Sequence, residues 1–460
     1  MQTESTAPGA NADRKDLSVA EARSLCDRVL AEASATQTQV VLTSGFRGFT
    51  RSADNRLTTG GGSDYLVATI TSWFGNRSAS VSTNRLDAEA IGKAVATAEA
   101  LARLAPENPE TMPQLGPQIC DGVEGYYSAT GSLSPEPRAQ AAAEAIRAAS
   151  EAGAVAAGYI DVRAGATSIA NSAGLFAHAA ATGVASTLTV RLPDGSSSGW
   201  AGGEAADWQN IESERIAQTA VRKCLDWRDK TDLDSGRYTV VLEPTATGML
   251  LSRLQGAFNA RSADEGRSFF SRQGGGNRIG EMLFDERVTI RSNPGELDSE
   301  ASPFDGEGQP RGSVSWVENG RLAALSSSRF WAQKTDTPPQ PAPSNFILGG
   351  GADSLEGMIA STERGVLITR FWYIRGLNPR TLAYTGLTRD GTFLIENGKI
   401  SRPVNNFRFN QSLAEMLTMV DAIGPSVRVA AGENSSVGSA IKAPALKVRD
   451  FHLASRSDAI

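Results

Sequence analysis

Polar and apolar positions recur along this chain with two different periods. Residues 17–33, "LSVAEARSLCDRVLAEA", repeat their apolar residues at helical spacing, and Ser18 with Glu21 forms a capping box at the start. Alternating, β-branched segments follow: "TQVVLTSG", "GFTRSADNRLTT" and "DYLVATITSWF", with the run Gly60–Gly62 read as a turn between strands. "RSASVSTN" continues the strand pattern. A helix is predicted over 86–105 with Asp87 as its cap, and another over about 135–152, opening on prolines. Strands return in "AAGYIDVRAGATSIANSAG" and "ASTLTVRLPDG", and a fourth helix covers about 210–227. This half reads as an N-terminal α/β-type domain, 17–229, with helices laid on one face of meandering strands.

The segment "KTDLDSG", 230–236, reads as a linker to a second domain, 237–460, that is mostly antiparallel β. The whole is therefore an α+β fold. Asn319-Gly320 and Asn397-Gly398 each sit between two strand patterns and predict type I′ hairpins, because Asn-Gly supplies the positive φ angles that turn needs. Residues 334–351, rich in Pro and Gly, read as an ordered surface loop or lid. "SLAEMLTMVDAIG" predicts a late helix and "ALKVRDFHLAS" a closing strand. Residues 1–16 are expected to be a disordered leader without the apolar stretch of a secretory signal.

One junction asks a chemical question. "RYTVVLEPTATGMLLSRLQGAF" runs from a strand into a helix with Leu250, Leu251 and Leu254 on one face. Such a junction commonly carries chemistry, yet this helix offers only Ser252, Arg253, Gly256 and Ala257. Composition narrows the options. The 460 residues hold 40% apolar and 21% charged residues and a net charge of −6, which suits a globular protein and disfavours binding to nucleic-acid phosphates. No apolar run is long enough to span a membrane. Cys26, Cys120 and Cys224 are sparse and odd in number, which points to a reducing, cytoplasmic setting. Only two histidines, His178 and His452, are present, so no His/Cys zinc spacing exists, and both read as structural or surface residues. The glycine runs at 60–62, 274–276 and 349–351 match no phosphate-binding fingerprint and read as loops.

Four stretches carry a resemblance to a known family: "FTRSADNRL", the junction just quoted, "FDGEGQPRGSVSWVENGRL", and "YIRGLNPRTLAYTGLTRDGTFLIENGKISRPV". Together they resemble the TldD/PmbA family, the "modulator of DNA gyrase" proteins, over nearly the whole chain. The TldD branch of that family is a zinc protease whose junction helix carries His-Glu-x-x-x-His. Placed on this helix without a gap, the histidines fall on Ser252 and Ala257 and the glutamate on Arg253. A further cysteine ligand falls around Ala430 and Ala431, and this chain has no cysteine beyond Cys224. The resemblance therefore implies the TldE/PmbA branch, which lacks the motif, holds no zinc itself, and pairs with a zinc-carrying TldD subunit as a heterodimer that cuts unfolded or leader peptides. For such a chain the candidate peptide-cleft residues are Arg253, Arg375, Asn378, Arg380 and Thr381, and no catalytic or metal-binding residue is expected. Two other readings stand beside it. One is a self-sufficient metal-dependent peptidase using Asp264 with Glu265, or Asp285 with Glu286. The other is an interaction protein that modulates gyrase.

Overall fold

The computed structural model describes residues 16–120, 123–432 and 440–457. The expected leader lies outside them apart from Asp16, whose carboxylate accepts the Tyr126 hydroxyl at 3.2 Å.

The first half is a six-stranded antiparallel sheet: β1 (Gln37–Ala53), β2 (Arg56–Phe74), β3 (Arg77–Thr83), β4 (Val155–Asn171), β5 (Phe176–Arg191) and β6 (Ser198–Ala205), in the order β3-β2-β1-β4-β5-β6. Helices α1 (Val19–Glu32) and α2 (Ala88–Leu104) bury Val29, Ile91 and Val95 against Val40 and Leu42 of β1 and Ile70 of β2. Helices α3 (Pro135–Glu151) and α4 (Ser213–Asp226) cover Ile160, Val184 and Leu188 further along. These strand residues share one parity through the register, with Val40 opposite Ala170 and Ile160 opposite Ser186, so all four helices lie on one face, as the pattern predicts. The predicted caps form: Ser18 and Glu21 close a capping box, and Asp87 accepts the Ala90 amide.

The Gly60–Gly62 turn does not form. Those residues lie inside β2, opposite Phe49 to Thr50 and Gly48 on β1. The hairpin turns instead at Asp54 and Asn55, with φ of 50° and 55°. The glycines are there because aromatic rings lie flat on the strand: a Cβ on Gly62 would stand 2.5 Å from the Phe46 ring, and one on Gly61 would stand 3.3 Å from Phe49. Strand β6 was not read from the sequence at all, since "SGWAGGEA" carries little β propensity.

The second half begins with β7 (Gly236–Leu242), in the middle of a nine-stranded, mostly antiparallel sheet, and continues into helix α5 (Pro244–Leu254). Strand β7 pairs parallel with Arg364–Ile368 and antiparallel with the closing strand Leu446–Ser457. Its alternation splits two cores. Val240 and Leu242 face α5, while Val241 faces Trp227, Met358 and Phe393. A second sheet of six short strands, among them Ile290–Ser292 and Phe346–Leu348, shares the larger core with α5. Both Asn-Gly hairpins form, with φ of 47° and 52° at Asn319 and Asn397. The expected lid over 334–351 is only partly loop: it starts in the helix Arg329–Thr335 and ends in the buried strand Phe346–Leu348. The glycines at 274–276 sit in a turn with positive φ, and those at 349–351 belong to no strand or helix.

Candidate functional site

Helix α5 starts where its sequence says it can. Glu243 leaves β7 in an extended conformation, and Pro244 occupies the first helical turn, where its missing N–H costs nothing. Glu243 also forms an ion pair with Lys223 of α4 at 2.5 Å, with both side chains mostly buried. This contact ties the two halves at the helix N-terminus, where the helix dipole favours a carboxylate.

Burial runs almost all the way round α5. Ala246, Thr247, Gly248, Met249, Leu250, Leu251 and Leu254 are all buried, so the helix has no single apolar face. Gly248 is required by packing: a Cβ there would stand 2.4 Å from Val429 and 3.5 Å from the side chain of Ala431. Ala431 thus packs against the helix one turn before Ser252. The regular helix ends at Leu254, and Gln255–Ala257 form a 3-10 turn. Ser252 and Ala257 therefore do not share one continuous α-helical face.

None of these positions fits a metal. The Ser252 hydroxyl donates to the Met249 carbonyl at 2.8 Å. The Arg253 carbonyl accepts the Tyr384 hydroxyl at 2.9 Å, and burial pushes the Tyr384 phenol up while the Arg253 charge pulls it down. Ala257, Ala430 and Ala431 have no ligand atom. Among the described residues no group of three or more His, Cys, Asp or Glu could hold an ion.

A cavity of about 790 Å³ opens beside the helix end, lined by Arg253, Ala257, Arg267, Asn378, Arg380 and Tyr384 among others. Three arginines and no carboxylate line it, and one of them, Arg267, is ion-paired with Glu265. Of the sequence candidates, Arg253, Asn378 and Arg380 meet here. Arg375 and Thr381 do not line it: the Arg375 guanidinium lies 4.0 Å from the Tyr373 ring, and the Thr381 carbonyl accepts the Ser412 hydroxyl. Arg267, Leu382 and Tyr384 complete the wall from separate segments, and no local motif marks them.

The alternative carboxylates are engaged elsewhere. Asp264 accepts the Trp331 indole N–H and the Asn277 amide, both at 2.8 Å. Glu265 is held by Arg267 and Arg261, and Asp285 by Arg287; the arginine bonds hold both carboxyls below their usual range. Glu286 is exposed. The arginine-paired Glu265 and Asp285 therefore favour the ionised form, which does not suit a general acid. His178 bonds the Ser168 hydroxyl at 2.8 Å across the β4–β5 pair, and His452 lies 3.2 Å from the Asn410 carbonyl. No described helix is long and apolar enough to cross a membrane.

Comparison with known proteins bears on the same region. Residues 235–455 match the PmbA/TldA metallopeptidase C-terminal domain, and residues 129–226 match the central domain of the same family, together more than half of the chain. A Methanothermobacter thermautotrophicus protein named metalloprotease is 28% identical over 314 residues, 62% of this chain and 65% of its own length. A Buchnera aphidicola metalloprotease TldD homolog is 23% identical over 268 residues, 53% of each chain. The chain thus spans less than two thirds of either relative. Two solved structures share the fold with a TM-score of 0.82 over 94% of this chain and 99% of theirs. They are a Thermotoga maritima protein described as a modulator of a DNA gyrase, 19% identical, and TldE from Thermococcus kodakarensis, 17% identical.

Proposed function

The chain belongs to the PmbA/TldD metallopeptidase family, and from that premise we propose that it is a TldE-like, non-catalytic subunit. It pairs with a zinc-dependent TldD-type subunit in the cytoplasm, and the pair cuts unfolded or leader peptides. The observation that carries this reading is the chemistry of α5. The helix is mostly buried, and it is set at the strand junction where the resemblance puts the family's ligands. Yet its side chains are Ser252, Arg253 and Ala257, with Ala431 packed one turn away. A buried scaffold without ligands suits a wall of a cleft rather than a metal centre.

The cationic cavity supports the second half of the reading. Arg253 and Arg380 line it together with Asn378, and no carboxylate does. An extended peptide offers carbonyls and acidic side chains to such a surface. The zinc belongs to the partner, and no step of the chemistry is assigned to this chain.

The test is reconstitution. The purified chain alone leaves an unstructured peptide intact, with or without added zinc. Mixed with a TldD-type subunit from the same host, it gives cleavage that a chelator stops. Chelator-sensitive cleavage by the chain alone would contradict the proposal.

A further inference from the structure

A second cavity, of about 590 Å³, lies in the first half of the molecule, far along the chain from α5. Its walls are Phe46, Phe49, Leu57 and Leu133, its floor is the glycine run of β2, and Arg138 of α3 lines it. Arg138 is only 2% exposed. Its Nε and Nη1 have no hydrogen-bond acceptor among the described residues, and it makes no ion pair there. An arginine buried without an acceptor is costly to fold, because its charge loses water and gains nothing in return. Burial pulls its affinity for a proton down, opposed by the charge of Glu136, which is exposed.

The surrounding sequence is arranged around this group. Gly48 lies beneath it: a Cβ there would stand 2.5 Å from Arg138 Nη1. Gly61 and Gly62 let the Phe49 and Phe46 rings settle on the strand beside it. The glycine run that fails as a turn is therefore the floor of a pocket with one cation and apolar walls. We propose that this pocket binds a carboxylate carried on an apolar body. One guanidinium matches one carboxylate in a bidentate pair. The rings and leucines take the apolar part, and the volume suits a small ligand.

The carboxylate has two possible sources, a free acid or the C-terminal residue of a peptide. Strand β3 pairs with β2 only from Ala68 onward. Among the described residues no strand covers the outer edge of β2 between Arg56 and Val67, so a peptide main chain has room alongside.

The test is calorimetry on the full chain with two matched pairs of probes: 3-phenylpropanoate against 3-phenylpropanamide, and an N-acetyl dipeptide ending in Phe against its C-terminal amide. The acid of at least one pair binds at least about tenfold more tightly than its amide, the scale of a charge-assisted pair. The pair that binds more tightly identifies the source. Arg138→Gln abolishes the preference, and Ala139→Leu, which keeps the charge and fills the cavity, abolishes binding with an unchanged circular dichroism spectrum. Equal binding of acids and amides overturns the proposal. So does a preference that survives Arg138→Gln, undiminished binding to Ala139→Leu, or no saturable binding of either acid at millimolar concentration.

Discussion

The helices of the two halves solve different packing problems. In the first half, α1 to α4 lie on one face of a meander and keep a wet side; α2 buries Ile91, Ala94, Val95, Ala98, Glu99 and Ala102 and turns residues such as Glu89, Leu101 and Arg103 toward water. In the second half, α5 is enclosed in the larger core, which both sheets share, and buries residues on every side. An enclosed helix holds side chains at its end rigidly, which a metal-binding motif requires. It keeps that rigidity when the ligands are absent, because the packing does not depend on them. On the proposed reading, the contrast accounts for a junction that keeps its packing with Ser252, Arg253 and Ala257 on the helix.

Glycine substitutions break the comparison most sharply. Gly248→Leu in α5 meets Val429 and Ala431 and is expected to cost about 3 kcal/mol or more, by analogy with overpacked cores, measured by urea unfolding. A cost near zero would mean that α5 is not enclosed. Next in size is the tie between the halves. Lys223→Met leaves Glu243 mostly buried and unpaired, and a loss of about 2–3 kcal/mol is expected, part of it recovered when Glu243→Gln is added. If the single and double variants are equally unstable, the pair is not coupled.

Smaller effects belong to the first half. Burial raises the Glu99 carboxyl, but bonds from the Ser34 hydroxyl and amide and the Ala35 amide outweigh it, so the group sits below its usual range. A depressed carboxyl contributes stability above the ordinary carboxylate range and loses it as pH falls through the folded value. Glu99→Gln is expected to cost about 1–2 kcal/mol at neutral pH and to flatten the loss of stability in acid, read from unfolding midpoints between roughly pH 7 and pH 3. An unchanged acid profile would remove Glu99 from the account. Smallest, and opposite in sign, is Gly92→Ala on α2. Its Cβ would meet nothing nearer than a Glu32 oxygen at 4.0 Å, so a gain of about 0.4–1 kcal/mol is expected in thermal unfolding.

The sequence made the local devices legible. The Ser18–Glu21 box, the Asp87 cap and both Asn-Gly turns depend on a few neighbouring residues and formed as read. It was less informative where a residue's reason lies across the fold. Gly60–Gly62 looked like a turn because glycine commonly serves one, but the rings that require it come from β1. Phe346–Leu348 was hidden in a Pro- and Gly-rich stretch because its partners are Ile290–Arg291 and Ile441–Lys442. The candidate site divides in the same way. The reading of Ser252, Arg253 and Ala257 as positions without ligands rests on the family pattern laid on the helix and belongs to the proposal. The cavity wall was not legible, since Arg267 and Tyr384 reach it from segments without a motif. Arg375 and Thr381, candidates from the same stretch as Asn378 and Arg380, do not line that cavity.

The central claim is that this helix holds no metal and that its chain works with one that does. Native mass spectrometry of the tagged chain isolated from its own host tests it most directly. The account predicts a complex with one different chain of similar size, and zinc that stays with the partner when the two are separated. A homodimer in which this chain itself carries stoichiometric metal would contradict it.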